Sequence, residues 1–334
     1  MRLVEVFSGC GGLSSGLVEA GLTIKELLDH DKDSCATLCL NHSGTLVHQA
    51  SVFDFHLERD CCDLLAGGVP CQSFSLAGKQ KGLLDPRGNM FKEFTRLVEE
   101  ASPSVFLVEN VVGLVLHQKG RTLEGIIDNF EKLGYHVKWK VLNAVDYQVA
   151  QKRRRIFIVG YKKTKFDFED YSFPEKVIGI LTLKDILGGV PESAGTSYST
   201  TKKSFLEKIP SGGCWTSLSP HEQKTYLGGS FTSGGGKRGF ARRLAWNEPC
   251  LTLKTSPSQK QTERCHPDET RPFTTREYAR IQSFPDTYQF HGSISSIYKQ
   301  IGNAVPIKLA YHVGLSLKIL FSKKKVYSSA TAIS

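Results

Sequence analysis

The chain has 334 residues, 40% hydrophobic and 23% charged, which excludes a disordered chain or a small stapled domain and points to a globular protein with a sizeable core. With 43 lysines and arginines against 33 aspartates and glutamates, a formal charge of +10 favours a polyanionic partner such as nucleic acid without requiring one. The nine cysteines are odd in number in a chain too large to need disulfides, so they read as reduced thiols of an intracellular protein, with Cys35, Cys39, Cys61 and Cys62 in the core.

The N-terminal text "MRLVEVFSGCGG" runs straight into a strand and a glycine turn, with no charged leader, and no apolar stretch approaches membrane-crossing length. Short apolar runs then alternate with helical patterns. "RLVEVFS", "IKELLD", "CCDLLAGGVP" and "SVFLVENV" read as strands; "SSGLVEAG", "KDSCATLCLNH", "GNMFKEFTRLVEEA" and "RTLEGIIDNFEKLG" read as helices. This alternation, continued by the strands "HVKWKVLNA" and "RRIFIVGYKK", predicts an α/β fold with a doubly wound, Rossmann-like sheet of parallel strands over residues 1–165. Residues 166–271 are rich in Gly, Ser, Thr and Pro and predict a smaller, loop-rich domain. Helical pattern returns over 272–321 in "TTREYARIQSF" and "AVPIKLAYHVGLSLKILF", and 322–334 reads as a frayed basic tail.

Three features of the first half carry chemistry. The turn "VFSGCGGLSSGL", with Gly9, Gly11, Gly12 and Gly16, leaves a strand and opens a helix, where a backbone can approach a ligand and a helix start can receive an anion. Asp29 ends the next strand, where a carboxylate can accept both hydrogen bonds of a ribose diol, so turn and acid together point to an adenosine-containing cofactor, with or without phosphates. Cys71 follows a third strand in "GGVPCQSFS", a strand-end position that favours a nucleophile over a packing thiol. Glu109 and Asn110 end the apolar strand "FLVENV" at the same edge, where burial raises a carboxyl pKa toward useful acid chemistry. A cysteine, a carboxyl group and an adenosine cofactor suggest covalent activation of an electrophilic ring. No Cys or His spacing predicts a metal site.

Seven blocks in order resemble the cytosine-5 DNA methyltransferases: "FSGCGGLSSG", "GGVPCQSFS", "KQKGLLDPRGNMF", "ENVVGL", "DYQVAQKRRRIFIVG", "TTREYARIQSFPDTY" and "IGNAVP". The resemblance spans nearly the whole chain. It implies an S-adenosylmethionine-dependent methyltransferase sheet with a smaller target-recognition domain at 166–271. S-adenosyl-L-methionine is then held by Phe7, Ser8, Gly9, Cys10, Gly11, Gly12 and Leu13 of the turn, by Asp29 and His30, by Ser51 and Val52, by Pro70, and by Asn303 and Val305. Where the family usually shows an acid toward the adenine this chain has Ser51, with Asp54 as the alternative in a shifted register.

The resemblance also implies the catalytic set Cys71, Glu109, Arg155 and Arg153, with Gln72, Ser73, Asn110 and Gln151 toward the substrate. A cytosine is flipped out of double-stranded DNA and methylated at carbon 5 through a Cys71 adduct, under a mobile loop "SFSLAGKQKGLLDPRGN". Lys237, Arg238, Arg242, Arg243, Lys254 and Lys260 of the second domain are the candidate DNA-backbone contacts, while Lys152 and Arg154 face phosphate or solvent. A related transfer RNA methyltransferase would carry a Cys-Phe-Thr motif that 162–271 lacks, and a binding protein without activity would have lost Cys71 or Glu109. The compact form resembles the prokaryotic restriction-modification type: a monomer in the bacterial cytoplasm on nucleoid DNA, with a cognate restriction endonuclease as genetic partner. No physical rule converts 162–271 into a recognition sequence.

Overall fold

The computed structural model describes residues 1–70, 89–233 and 239–323. In chain order the first domain comprises β1 (Arg2–Val6), α1 (Gly12–Glu19), β2 (Thr23–Asp29), α2 (Lys32–Asn41), β3 (Leu46–Gln49), β4 (Leu64–Gly68), α3 (Asn89–Ala101), β5 (Val105–Val111), α4 (Gly113–Leu116), α5 (Arg121–Lys132), β6 (Tyr135–Asn143), β7 (Gln151–Lys152) and β8 (Arg154–Lys162). Seven strands form one sheet in the order β3-β2-β1-β4-β5-β8-β6, and β7 pairs separately with β9 (Cys250–Leu251).

The first five strands are parallel, as the alternation predicts. The exception is β8, which is antiparallel to both β5 and β6. Only residues 144–153 separate β6 from β8, too few for a crossover helix, so the chain folds back and inserts β8 beside β5. The sheet is therefore mixed.

Alternate strand residues feed two cores. Val4, Leu65, Phe106, Val108 and Ile156 face α3 and α5 through Phe94, Leu97 and Phe130. Leu3, Ala66, Leu107, Phe157 and Val159 face α1 and α11 (Ile307–Ser322) through Leu13, Leu17, Leu309, Val313 and Leu317. α1 and α11 approach so closely that a Cβ on Gly16 would lie 2.5 Å from Ala310 Cβ, and one on Gly314 would lie 2.6 Å from Ala20 Cβ. Both glycines are packing devices.

In chain order, α6 (Leu183–Leu187), α7 (Thr200–Leu206), α8 (Pro220–Leu227), α9 (Thr275–Ile281) and α10 (Ile294–Asn303) fall between β8 and α11. α7 and α8 span only two turns each and are set by their caps: Ser199 accepts from Lys202 N–H, and Ser219 with Glu222 forms a reciprocal capping box. A small core gathers Tyr198, Leu206, Ile209, Tyr226, Leu227, Phe240 and Cys265. Leu183, Leu187, Leu244, Cys250 and Leu253 pack instead with Phe273, Tyr278, Ile301 and Ile307.

α10 has no counterpart in the sequence reading. Together with α11 it forms the one stretch among the described residues long and apolar enough to cross a membrane, with mean hydropathy 1.3. The helix breaks at Ala304–Pro306, and α11 buries Leu309, Val313, Leu317 and Leu320 in the sheet core, so these are core helices. Among the cysteines expected in the core, Cys35 and Cys62 are buried and Cys61 is half-buried, but Cys39 is exposed on the outer face of α2.

Candidate active site

The strand order reverses at β1, with β2 and β3 on one side and β4 and β5 on the other. Such a reversal leaves a crevice outside the carboxyl ends of the strands. The turn after β1 occupies it, with Phe7, Gly9 and Gly11 at φ of 56°, 55° and 84°. Left-handed backbone is easy for glycine and strained for Phe7. A Cβ on Gly11 would fall 2.7 Å from Tyr288 Oη and 2.8 Å from Leu38 Cδ2, and one on Gly12 would collide with Val305 O. The glycine spacing thus reflects close approach of α2 and the 303–305 segment.

Asp29 ties the turn to the second strand. Gly9 N–H donates to its Oδ2 at 2.7 Å and Asp31 N–H donates to its Oδ1 at 2.8 Å. Asp31 caps α2 and pairs with Lys299 at 2.7 Å; desolvation opposes its ionisation, but Lys299 and the Ser34 amide hold its carboxyl below the usual range.

Two adjoining cavities share Phe7, Asp29, His30 and Pro70. The first, about 350 Å³, is walled by Phe7, Leu28, Val52, Phe53, Pro70 and Met90, with Ser51, Asp29 and His30 as its polar groups. Ser51 lies on this wall, while Asp54 is exposed outside it. The second, about 630 Å³, is lined by Ser8, Gly9, Gly12 and Leu13, by Asn303 and Val305 opposite, and by Glu109, Asn110 and Arg155.

Cys10 and Gly11 line neither cavity. The buried Cys10 thiol donates to Gln300 O at 3.4 Å, and burial pushes its pKa up. Both residues shape the turn, Cys10 through Gln300 and Gly11 through its close approach to Tyr288 and Leu38.

Antiparallel pairing of β5 with β8 sets Glu109 opposite Phe157 and Val111 opposite Arg155. Glu109 and Arg155 are thereby diagonal neighbours on one face. Arg155 Nε lies 2.8 Å from Glu109 Oε1. Burial raises the Glu109 pKa, and the charges of Arg155 and Arg153 offset only part of the rise. Asn110 points the other way: its Nδ2 donates to Val69 O at 3.1 Å and its Oδ1 accepts from Val111 N–H at 2.7 Å, bracing the residues that lead into Pro70. Cys71, Gln72 and Ser73, the expected mobile loop, and Lys237 and Arg238 lie outside the described residues.

Several expected contacts turn inward. Arg153 is fully buried and donates to Leu253 O, Gly302 O and Asn303 O at 3.3, 3.0 and 3.2 Å, so it is a strut that reaches Glu109 only through its field. Gln151 is fully buried between Gln282 Oε1 at 2.8 Å and Leu253 N–H at 3.0 Å, and lines neither cavity. Arg243 is buried against the carbonyls of Leu206, Ile209, His266 and Glu269, and Arg242 grips both oxygens of Glu248. A loop-rich domain leaves many buried carbonyls without a ladder partner, and a guanidinium with five donors satisfies them. Lys254 and Lys260 remain exposed, as do Lys152 and Arg154.

The sequence reading missed Glu5. This carboxyl is 1% exposed, lines the second cavity, and has no hydrogen-bond partner for Oε2. Burial pushes its pKa up to about 8, with Ser14 opposing and Asp29 adding to the rise. An acid inside the strand "LVEV" was the available signal.

A family model described as C-5 cytosine-specific DNA methylase matches residues 1–318. The type II methyltransferase M.Sau96I of Staphylococcus aureus is 47% identical over 324 residues, covering 95% of this chain and 75% of that protein. The type II methyltransferase M.Eco47II of Escherichia coli is 48% identical over 331 residues, covering 96% and 79%. Among solved structures, a prophage-encoded DNA modification methyltransferase of E. coli aligns with a TM-score of 0.71 at 26% identity, covering 96% of this chain and 99% of that one. The chain belongs to the C-5 cytosine-specific DNA methylases, as a DNA (cytosine-5)-methyltransferase of the restriction-modification type that uses S-adenosyl-L-methionine as methyl donor.

Proposed function

We propose that Cys71 is the nucleophile and Glu109 the acid of this transfer, acting on a cytosine flipped from double-stranded DNA into the polar cavity. The observation that carries this reading is the buried Glu109–Arg155 pair, 2.8 Å apart in the cavity that also holds the glycine turn. Cytosine carbon 5 is a poor nucleophile. Addition of the Cys71 thiolate to carbon 6 makes it enamine-like, while Glu109 donates to ring nitrogen 3 and offsets the charge that develops. Loss of the carbon 5 proton later returns the electron pair to the ring and expels the thiolate. Arg155 orients Glu109 and stays within reach of the base; Gln72 and Ser73 flank the nucleophile.

The two cavities fit the cofactor. An apolar slot suits an adenine, Asp29 at its edge suits a ribose diol, and Ser8, Leu13, Asn303 and Val305 in the polar cavity suit the methionine end, where Glu5 offers a carboxyl to the ammonium. When bound, S-adenosyl-L-methionine supplies the electrophilic methyl group that carbon 5 takes.

Residues 166–271 are the target-recognition domain in this reading, and 272–321 complete the catalytic domain. The enzyme acts as a monomer in a bacterial cytoplasm, protecting host DNA from a cognate restriction endonuclease. The test is transfer from labelled S-adenosylmethionine to unmethylated DNA and to transfer RNA, by wild type and Cys71→Ala, with sequencing of the modified cytosines. Label on DNA that vanishes in the variant is expected. Label on RNA alone, or label that survives loss of Cys71, refutes the reading.

A further inference from the structure

We infer that Arg96 is a positioning residue for the cofactor's adenine: it clamps the backbone turn that walls the apolar slot onto α3, the helix that also brings Met90 to that slot. The inference rests on the reading of the slot as the adenine site and adds the residue that holds it to width. β3 ends at Gln49, and the chain leaves the sheet edge through Ser51 and a single 3-10 turn, Val52–Asp54. Such turns are short and their hydrogen bonds are poor. Asp54 N–H reaches Ser51 O at 3.1 Å, Phe53 N–H reaches the Ser51 hydroxyl at 3.3 Å, and Phe55 N–H reaches Val52 O at 3.4 Å. Yet Ser51, Val52 and Phe53 all line the slot, so this turn sets the space open to a planar ring.

Arg96 supplies the hold that the turn lacks. Its Nη2 donates to Val52 O and to Phe55 O, both at 2.9 Å, so one amino group takes a carbonyl from the start of the turn and one from just past its end. Its Nε donates to Glu93 Oε2 at 2.8 Å and its Nη1 to Glu100 Oε1 at 2.6 Å. These acids stand one turn before and one turn after it on α3, and together they fix the plane of the guanidinium. Glu100 adds a third point, because its Oε2 accepts from Leu57 N–H at 3.1 Å. One face of α3 thus meets the backbone at Val52, Phe55 and Leu57, a stretch outside any strand. The side chains of the same three residues pack with Phe91, Phe94 and Leu97 in one core.

An adenine in the slot is held mostly by contact with its faces, and a gap of an ångström forfeits much of that attraction. A turn released from Arg96 samples other conformations, and a cofactor that fits only the native one loses affinity in proportion to the fraction that remains. The chemical step is separate, since Arg96 is not among the residues lining the polar cavity that holds Glu109 and Arg155.

The test uses the full-length enzyme with Arg96→Gln, Arg96→Lys and Glu93→Gln, titrated with S-adenosylhomocysteine and, in competition, with adenosine, which lacks the amino-acid end. If about one turn in ten stays native without the clamp, Arg96→Gln binds both ligands about 10-fold more weakly. Arg96→Lys should lose at least about 3-fold, because an ammonium lacks the planar fork that spans two carbonyls. Glu93→Gln leaves both carbonyl contacts in place and should bind within about 2-fold of wild type. The single-turnover methylation rate at saturating S-adenosylmethionine should stay within about 2-fold of wild type in all three, while KM for the cofactor rises in the arginine variants.

An Arg96→Gln enzyme that binds both ligands as wild type does, or that loses S-adenosylhomocysteine and keeps adenosine, overturns the inference. So does a Glu93→Gln loss equal to that of Arg96→Lys, or a saturated rate that falls as far as the affinity. If Arg96→Gln does not fold, the contrast between Arg96→Lys and Glu93→Gln decides. Ala50→Trp fills the slot itself. If that variant binds the cofactor as wild type does, the adenine reading of the slot fails, whatever the Arg96 variants show.

Discussion

Replacing Glu5 by glutamine should change how the stability of the cofactor-free protein depends on pH, in a direction and by an amount set by burial of that carboxyl. Its pKa rises from 4.5 to about 8 in the folded protein, through desolvation first, against the opposing Ser14 contact and with help from Asp29. Folded protein therefore holds a proton that the unfolded chain releases between those values. The stability this contributes is fully present below the unfolded pKa and is lost as pH rises toward the folded one. One such proton changes stability by about 1.4 kcal/mol per pH unit, and flattening near the folded pKa leaves a decline of about 2 kcal/mol between pH 6 and pH 8. Glutamine has the same shape and does not titrate. Urea denaturation of both proteins at the two pH values, without cofactor, isolates the effect as the difference between their declines. Equal declines would mean that Glu5 titrates in the folded protein as it does in water, and the account of the cavity floor would be refuted.

Gly16→Ala should destabilise the protein by about 1–3 kcal/mol, because the added methyl group enters the contact between α1 and α11; in a chain of this size about 1 kcal/mol lowers Tm by about 1.4 °C, so thermal melts within 0.5 °C of wild type would rule out that packing. Glu109→Gln should slow single-turnover methyl transfer by about 10²–10⁴-fold while DNA binding persists, the usual range for loss of a positioned acid. Transfer at a rate close to wild type would remove Glu109 from the chemistry.

The elements legible in the sequence are those whose periodicity is long or whose ends are chemical. β1 to β5 announce themselves as apolar runs, and Asp29, Glu109 and the glycine turn are readable because each ends such a run at one sheet edge. Arg153 and Arg155 look equivalent in "QKRRR". Yet Arg153 sits in the break between β7 and β8, where the chain turns it into the interior, and only Arg155 enters the strand beside Glu109. Arg242 and Arg243 failed for a related reason: in loop-rich text, charge indicates neither burial nor a carbonyl partner brought from more than twenty positions away. Glu5 was hidden because an acid within a strand reads as a solvent-facing residue until α1 and the 303–305 segment are seen to cover it. The reversal of β8 follows from the short 144–153 connection, a length readable in the sequence but outweighed by the preceding alternation.

The closure of the turn by the far end of the chain bears on how the enzyme is made. Cys10 and Gln300 meet across 290 positions, Gly12 rests on Val305, and Arg153 holds the carbonyls of Gly302 and Asn303. Synthesis runs from the N-terminus at a finite rate, so strands β1 to β5 leave the ribosome long before their closing segment. A nascent or prematurely ended chain has the glycine turn and the acids but lacks the wall that completes the cavity. The apolar slot, lined by residues 7–90, is complete without that wall, whereas the polar cavity closes only once residues 299–305 have docked, so the methionine end of the methyl donor is enclosed late.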